Sequence, residues 1–325
     1  MVKAIRIHEH GGPEVLRYEE VDPGRPGRGE VLVRHTAIGL NFIDTYFRSG
    51  LYTPPAGLPF TPGGEAAGVV IELGEGVTEL SPGDRVAYAG GPGSYAEERV
   101  MPADRLVKIP DGVSDEEAAA MMLKGMTAEY LLRRTYAVKP GDNVLYHAAA
   151  GGVGLIFGQW AKHLGVDVIG TVGSAEKAEL AKAHGYAHVV NYRETDFVKA
   201  VAEITGGRKC DVVYDSVGKD TFDGSLDCLR PRGMMVSFGQ SSGAVPPFNL
   251  GILSQKGSLF LTRPTLFTYV AARADLEASA AALFEVVRSG AVKIRINQRY
   301  PLAEAAQAQA DLEGRRTTGT TVLIP

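Results

Sequence analysis

The spacing of apolar residues changes about a third of the way along the chain. Before that point, short apolar runs are separated by Pro-Gly turns such as Pro23-Gly24 and Pro82-Gly83. Apolar runs bounded by such turns are typical of β-strands. The strands predicted in this part cover residues 3–7, 30–37, 65–73 and 85–89. The first third is therefore predicted to form a β-rich domain.

Helical spacing begins near Asp115, and predicted strands then alternate with helices. After a helix over residues 116–136, the predicted strands cover residues 143–148, 167–171, 187–191, 211–215, 234–239 and 258–261. Predicted helices over residues 175–184, 195–204 and 219–229 lie between them. Such alternation predicts a parallel, doubly wound sheet with right-handed crossovers.

The segment after Pro264 is predicted to lie outside this sheet, because all of the predicted strands of the sheet precede Pro264. The predicted elements there are helices over residues 272–289 and 302–313 and strands over residues 293–299 and 319–324. We expect this segment to return to the first domain. We also expect a cofactor cleft between the two domains, with substrate bound in it.

Composition narrows the class of protein. A length of 325 residues favours two domains. A hydrophobic content of 45%, a charged content of 22%, a net charge of −4 and a pI near 6.0 indicate a soluble enzyme without the basic surface that binds nucleic acid or acidic membrane. The two cysteines, Cys210 and Cys228, fit a reducing compartment, so we expect a cytoplasmic protein.

A glycine-rich turn separates the first strand of the alternating part from its helix. It reads His147-Ala148-Ala149-Ala150-Gly151-Gly152-Val153-Gly154. Glycines let the backbone approach a pyrophosphate closely, and the unpaired N–H groups at the helix start hold the phosphates. Because strand, turn and helix follow in this order, the motif predicts a dinucleotide site at Gly151, Gly152, Val153 and Gly154.

The end of the next strand indicates which dinucleotide is bound. An NAD-preferring site places Asp or Glu there, where it binds the ribose 2′-hydroxyl and repels a 2′-phosphate. This chain reads Gly173-Ser174-Ala175-Glu176-Lys177, with no acid at the strand end. Ser174 and Lys177 are therefore predicted to accept a phosphate, which favours NADPH over NADH. In the other interpretation Ser174 caps a helix and Lys177 is solvated.

Motifs along the whole chain resemble those of the zeta-crystallin-type quinone oxidoreductases, which belong to the medium-chain dehydrogenase/reductase superfamily. The motifs are Gly11-Gly12-Pro13-Glu14-Val15, Asn41-Phe42-Ile43-Asp44-Thr45-Tyr46, Lys124-Gly125-Met126-Thr127-Ala128, Ala148 to Gly154, Asn191-Tyr192, Asp215-Ser216-Val217-Gly218 and Ser237-Phe238-Gly239. The resemblance implies an α/β fold in which a GroES-like, β-rich catalytic domain is interrupted by a doubly wound Rossmann domain. We expect the first in residues 1–123 plus 267–325 and the second in residues 124–266.

No metal site is predicted. A structural zinc site of four cysteines is impossible with two. Zinc-dependent relatives carry a Cys near Asn41 and a His near Gly64, and both ligands are missing here. His8, His10, His184 and His188 are interpreted as surface histidines.

Chemistry without zinc suits an acceptor that needs little acid assistance, such as a quinone or an activated enone. The resemblance implies that Tyr46 contacts the nicotinamide, that Asn41 and Tyr52 bind acceptor oxygens, and that Asp44 orients a neighbour or a water. In the alternative, Asn41 and Asp44 fix a turn while the tyrosines pack with Phe42 and Phe47.

Further cofactor contacts are implied at matching positions. Thr127 is expected on the nicotinamide side, and Tyr192 over the adenosine phosphate or its ring. Four residues lie at the C-terminal ends of predicted strands, where open α/β sheets bind ligands: Ser216, Phe238, Gly239 and Ser241. Arg263 is expected to reach the nicotinamide half or to pack at a hinge. Arg315 matches a family arginine near the 2′-phosphate, a role that Arg316 fits equally.

The favoured function is reduction of a small-molecule quinone by NADPH, with reducing equivalents leaving nicotinamide C4. The resemblance also implies a homodimer formed through the sheet edge near residues 258–261. One alternative is an NADPH-dependent enone or alkenal reductase. A non-enzymatic alternative is an NADPH-responsive RNA-binding or structural protein, against which the net charge of −4 argues.

Overall fold

A computed structural model describes all 325 residues. The chain forms two compact units. Unit 1 consists of Met1–Met126, Val270–Arg288 and Ile294–Pro325, and unit 2 of Thr127–Tyr269 and Ser289–Lys293.

Unit 1 is built around antiparallel strands. Two of its nine strands, β1 (Val2–Ile7) and β2 (Leu16–Val21), form a two-stranded sheet. A seven-stranded sheet contains β3 (Glu30–Leu40), β4 (Glu65–Leu73), β5 (Arg85–Ala89), β6 (Glu98–Pro102), β7 (Val107–Lys108) and two strands from the far end of the chain. β3 is central, because it pairs with both β4 and β6.

Those two far strands confirm the predicted return of the last segment. β14 (Ile296–Pro301) pairs with β15 (Thr320–Ile324), and β15 pairs antiparallel with β3. β15 is almost wholly buried, as expected for a strand with neighbours on both sides.

The helices of unit 1 are few. They are α1 (Phe42–Arg48), the first part of α2 (Asp115–Tyr130), α9 (Arg273–Arg288), α10 (Ala305–Glu313) and three short 3₁₀ turns at Pro13–Val15, Ala103–Arg105 and Leu302–Glu304. A π-helical turn, Leu131–Thr135, follows α2. The core of unit 1 packs apolar side chains of β1, β3, β4 and β5 against α10.

Unit 2 contains the predicted doubly wound sheet. The strands are β8 (Val144–His147), β9 (Val168–Val172), β10 (His188–Asn191), β11 (Cys210–Asp215), β12 (Leu229–Ser237) and β13 (Phe260–Thr262). All pair in parallel, in the order β10-β9-β8-β11-β12-β13. Every residue of β8, β9 and β11 is buried, because helices cover both faces of a parallel sheet.

The helices of unit 2 follow their strands in the expected alternation. They are α3 (Gly152–His163), α4 (Ala175–Ala183), α5 (Phe197–Ile204), α6 (Phe222–Asp227), α7 (Gly251–Gln255) and α8 (Leu266–Tyr269). The order of the strands changes direction at β8, which places the end of β8 at the point where such sheets bind ligands. None of the helices in either unit is both long and apolar enough to cross a membrane.

Candidate active site

The glycine turn after β8 has the geometry of a phosphate-binding loop. Ala148 has a left-handed backbone with φ of 60°, and the Gly151 N–H donates to its carbonyl at 3.0 Å. α3 then starts at Gly152 with no side chain capping it. A Cβ on Gly154 would lie 2.6 Å from the Ala148 oxygen, so only glycine lets the helix start this close to the turn. The residues therefore fit a dinucleotide, whose phosphates would meet the N–H groups of the first helical turn.

Ser174, Lys177 and Tyr192 lie together after β9 and β10. Ser174 is the N-cap of α4, and its Oγ accepts from the Lys177 N–H at 3.3 Å. The Tyr192 N–H donates to the Val172 carbonyl at 3.0 Å, and its phenol lies over Gly173. The capping interpretation of Ser174 is thus correct in geometry. It is compatible with phosphate binding, since the same helix start favours an anion.

Two loops at the ends of β11 and β12 hold the next group of predicted residues. The Phe238 N–H donates to the Asp215 carbonyl at 2.8 Å, and the Ser241 N–H to the Ser216 carbonyl at 3.1 Å. Gly239 is packed so closely on Ser216 that a Cβ would lie 2.6 Å from its oxygen. The two loops are therefore joined through their backbones, and we call this the backbone-paired edge. It contains Ser216, Phe238, Gly239 and Ser241.

Two other predicted cofactor residues belong to unit 2. The Arg263 guanidinium donates to the Ser237 carbonyl at 3.0 Å, next to this backbone-paired edge. Thr127 is buried in α2. In unit 1, Arg315 lies just beyond α10 with φ of 58°. Its neighbour Arg316 is bound by Asp311 through a salt bridge of 2.6 Å.

Asn41 and Asp44 are joined directly at the start of α1. The Asn41 N–H donates to Asp44 Oδ2 at 2.9 Å, and the Tyr95 hydroxyl donates to the same oxygen at 2.9 Å. Burial raises the pKa of Asp44 to about 7, although both hydrogen bonds oppose the change. Asp44 is therefore a helix-capping carboxyl that holds Asn41, and it titrates near neutral pH.

A buried ion pair stands beside Asn41. The Asn41 Nδ2 donates to Glu65 Oε2 at 2.7 Å, and the Lys124 ammonium contacts the same oxygen at 2.8 Å. The other carboxylate oxygen accepts from the Leu123 N–H at 2.7 Å. Glu65 is 0% exposed, so the pair holds the Asn41 carboxamide in one orientation with little competition from water.

Tyr46 and Tyr52 form an aromatic group with two phenylalanines. The rings of Tyr46 and Tyr52 meet edge to face, with centroids 5.3 Å apart. Phe42 lies 5.7 Å from Tyr46, and Phe47 lies 5.7 Å from Tyr52. Both tyrosines remain partly exposed, so packing with Phe42 and Phe47 does not remove them from contact with a ligand.

The donor set does not fit a metal ion. No group of three or more His, Cys, Asp or Glu side chains is arranged to hold one. At position 64 a Cβ would lie 2.7 Å from the Gly90 oxygen, so the backbone leaves no room there for a ligating side chain. One histidine interpretation is wrong, since His184 is 6% exposed and bonds the Leu180 carbonyl at 2.7 Å.

Several buried polar residues of the two units were assigned no role from the sequence. Glu65, Tyr95 and Lys124 surround Asn41 and Asp44, while His147 and Asp215 end the strands beneath the ligand-binding loops. A signal existed for two of them. Lys124 interrupts the apolar run Ala118 to Leu123, and His147 ends the apolar run of β8. A polar group in such a run needs a buried partner.

The comparisons with known proteins agree with this arrangement. Residues 27–111 match the model of the alcohol dehydrogenase GroES-like domain, and residues 152–284 match that of the zinc-binding dehydrogenases. The chain is 56% identical to quinone oxidoreductase of Pseudomonas aeruginosa over 326 residues, covering 100% of both chains. The chain belongs to the quinone oxidoreductase family.

Other members of the family extend the comparison. The crystal structure of Escherichia coli quinone oxidoreductase complexed with NADPH has a TM-score of 0.98 and 52% identity, covering 99% of this chain and 100% of that one. A 2-haloacrylate reductase of Burkholderia is 49% identical over 331 residues, covering 100% of this chain and 99% of its own. The predicted combination of a GroES-like domain and a Rossmann domain within the medium-chain dehydrogenase/reductase superfamily is confirmed.

Proposed function

We propose that this protein is an NADPH:quinone oxidoreductase that works without a metal ion. The observation that carries the proposal is the match, at 52% identity and a TM-score of 0.98, to a quinone oxidoreductase complexed with NADPH. Its support within the chain is the Gly151–Gly154 turn with Ser174 and Lys177 beside the next strand end. Bound NADPH supplies the reducing equivalents from nicotinamide C4.

The proposed cofactor residues have distinct tasks. Ser174 and Lys177 bind the 2′-phosphate, and Tyr192 covers the adenosine end. The N–H groups of Gly152, Val153 and Gly154 bind the pyrophosphate. Ser216, Phe238, Gly239, Ser241, Thr127 and Arg263 contact the remainder of the cofactor. Together they hold it in one orientation, which is the main protein contribution to transfer between a bound donor and acceptor.

The acceptor is proposed to lie against Asn41, Tyr46 and Tyr52. The Tyr46 and Tyr52 rings suit a flat quinone. Asn41 and Tyr52 bind acceptor oxygens. Asp44, Glu65 and Lys124 do not contact the acceptor. Asp44 and Glu65 hold Asn41 in place through their hydrogen bonds to it, and Lys124 pairs with Glu65.

The second candidate function is reduction of an activated carbon–carbon double bond. The similarity to a 2-haloacrylate reductase, at 49% identity, favours it specifically. Both reactions place reducing equivalents on a conjugated acceptor whose product spreads negative charge over the conjugated system. They can therefore share one cofactor site and differ in the shape of the acceptor pocket.

Steady-state oxidation of NADPH separates the two functions. Turnover is measured with a benzoquinone, a naphthoquinone, an alkenal and a 2-haloacrylate, and each series is repeated with NADH. We expect the highest kcat/KM for a quinone with NADPH. A higher kcat/KM for the alkenal or haloacrylate would assign the protein to double-bond reduction, and no turnover with any acceptor would contradict both candidates.

We further propose a cytoplasmic homodimer that pairs through β13. This strand is an edge of the parallel sheet, and Phe260 on it is 59% exposed. An uncovered strand edge with an exposed aromatic residue favours pairing with a second copy.

A further inference from the structure

A buried chain of hydrogen bonds connects three neighbouring strands of unit 2. His147 ends β8, Asp215 ends β11, and Thr171 lies one residue before the end of β9. The His147 ring contacts Thr171 Oγ1 through Nδ1 at 2.8 Å and Ser225 Oγ through Nε2 at 2.9 Å. Ser225, on α6, donates to Asp215 Oδ2 at 2.8 Å. We call Thr171, His147, Ser225 and Asp215 the strand-end chain.

The chemistry of the groups fixes the direction of these bonds. The Asp215 carboxylate accepts from the Ser225 and Thr221 hydroxyls and from the N–H groups of Val217 and Gly218. Because the Ser225 hydrogen is used on Asp215, Ser225 Oγ accepts from His147 Nε2–H. His147 Nδ1 is then the acceptor of the Thr171 hydroxyl. Burial lowers the pKa of His147, in keeping with this neutral ring.

Each strand in the chain leads directly into a segment assigned to cofactor binding. The glycine turn begins immediately after His147, and its Ala149 N–H donates to the Thr171 carbonyl at 3.0 Å. Ser174 follows three residues after Thr171. The Asp215 carboxylate accepts from the backbone N–H groups of Val217, at 2.7 Å, and Gly218, at 3.0 Å, and so fixes the backbone after β11. One set of buried bonds therefore fixes the start of three ligand-binding segments.

We propose that His147, Ser225 and Asp215 are positioning residues for cofactor binding, which set these three segments in the arrangement that NADPH requires. The inference rests on the proposed function in so far as NADPH is the ligand. A segment that is already ordered loses less conformational entropy when it binds, so the strand-end chain lowers the dissociation constant without touching the cofactor. His147 suits the task because one rigid ring bonds neighbours on opposite sides.

The test uses two conservative substitutions that each remove one hydroxyl. Ser225→Ala takes away the link between His147 and Asp215, and Thr171→Val takes away the donor to His147 Nδ1. The dissociation constants of NADPH and NADH and the thermal unfolding temperature are measured for each variant and the wild type. We expect both dissociation constants to rise about tenfold, by the same factor for the two cofactors, since the segments bind parts that both share.

Tyr214→Phe is the matched control. Its hydroxyl is buried in the same unit and contacts the carbonyls of Leu131, at 2.9 Å, and Tyr136, at 3.3 Å, neither of which belongs to the three segments. We expect a lower unfolding temperature with unchanged dissociation constants. If Ser225→Ala and Thr171→Val behave in this same way, the strand-end chain is structural only and the inference is wrong. If the wild type itself does not bind NADPH, the proposed function is wrong and this inference with it.

Discussion

A capping hydroxyl and a cation, Ser174 and Lys177, stand where an NAD-preferring protein carries a carboxylate. The absence of this acid can be read directly from the sequence, and it predicts NADPH as the cofactor. The same is not true of the buried pair Glu65 and Lys124. They are separated by 59 positions, and only the folded chain brings them together. Sequence patterns report local neighbours well and distant partners poorly.

Lys177→Ala tests the 2′-phosphate assignment. Loss of a charge-assisted contact to the phosphate should raise the KM for NADPH about tenfold or more, while the KM for NADH stays within about twofold. Both values are obtained from steady-state kinetics with one quinone. Equal changes in the KM values for the two cofactors would show that Lys177 does not bind the 2′-phosphate. Lys182→Ala, on the same helix and bonded to Glu179, is the control and should change neither value.

The raised pKa of Asp44 predicts that the stability of the folded protein depends on pH. Its pKa is about 7 in the folded protein against an ordinary 3.8, so the folded state holds the proton more tightly than the unfolded state. The stabilisation that Asp44 contributes to the folded state is therefore fully present below about pH 4. It is lost as the pH rises to about 7, by at most about 4 kcal/mol. The groups facing Asp44 are Asn41, Tyr95, Lys124 and Glu65.

Chemical denaturation across that pH range compares the wild type with Asp44→Asn. The free energy of unfolding of the wild type should fall relative to that of the variant between about pH 4 and 7. Asp104→Asn is the control, because Arg105 lowers the pKa of this exposed carboxyl and it stays ionised throughout. Parallel curves for the wild type and Asp44→Asn would contradict the raised pKa.

At the scale of elements, the long regular segments were predictable and the short ones were not. The strands at Glu65–Leu73 and Arg85–Ala89 were predicted with the bounds that the structure has, because apolar runs there end at turns. α1 was missed. Its seven residues carry three aromatic side chains, and it depends on the capping interaction of Asn41 with Asp44. β2, β6 and β7 were also missed; β7 has two residues, too few to form a pattern.

The start of α3 gives a prediction at this scale. In Gly154→Ala the new methyl group would press on the carbonyls of Ala148 and Ala149, at 2.6 and 2.5 Å, and the helix start would have to move. We expect the dissociation constants of NADPH and NADH to rise together by more than about tenfold, since both share the pyrophosphate. Isothermal titration measures them. Unchanged affinity would mean that the turn does not hold the phosphates.

At the scale of the whole molecule, the chain order explains why the β-rich unit has its strands at both ends of the sequence. β14 and β15 complete the sheet that β3 to β7 begin, and the parallel sheet lies between them in the sequence. The alternation of strands and helices predicted this arrangement because the parallel sheet was already complete before Pro264. The sequence could not show how many copies associate, since that depends on which sheet edge stays uncovered.

Phe260→Lys tests the proposed dimer. A charge in the exposed row of β13 should oppose pairing of two copies, so sedimentation should find a dimer for the wild type and a monomer for the variant. Ile204→Lys is the control, because it adds the same charge on α5, which packs against β10, the opposite edge strand of the sheet. A wild-type monomer, or a dimer that survives Phe260→Lys, would contradict the proposed interface.

The measurement that tests the central proposal most directly is quinone reduction by metal-stripped protein. The protein is treated with a strong chelator, its zinc content is determined, and NADPH oxidation with a benzoquinone is followed at saturating NADPH. We expect kcat within about twofold of the untreated protein and well under one zinc per chain, because the residues at positions 41 and 64 provide no ligands. Loss of turnover on chelation that added zinc restores would contradict the proposal.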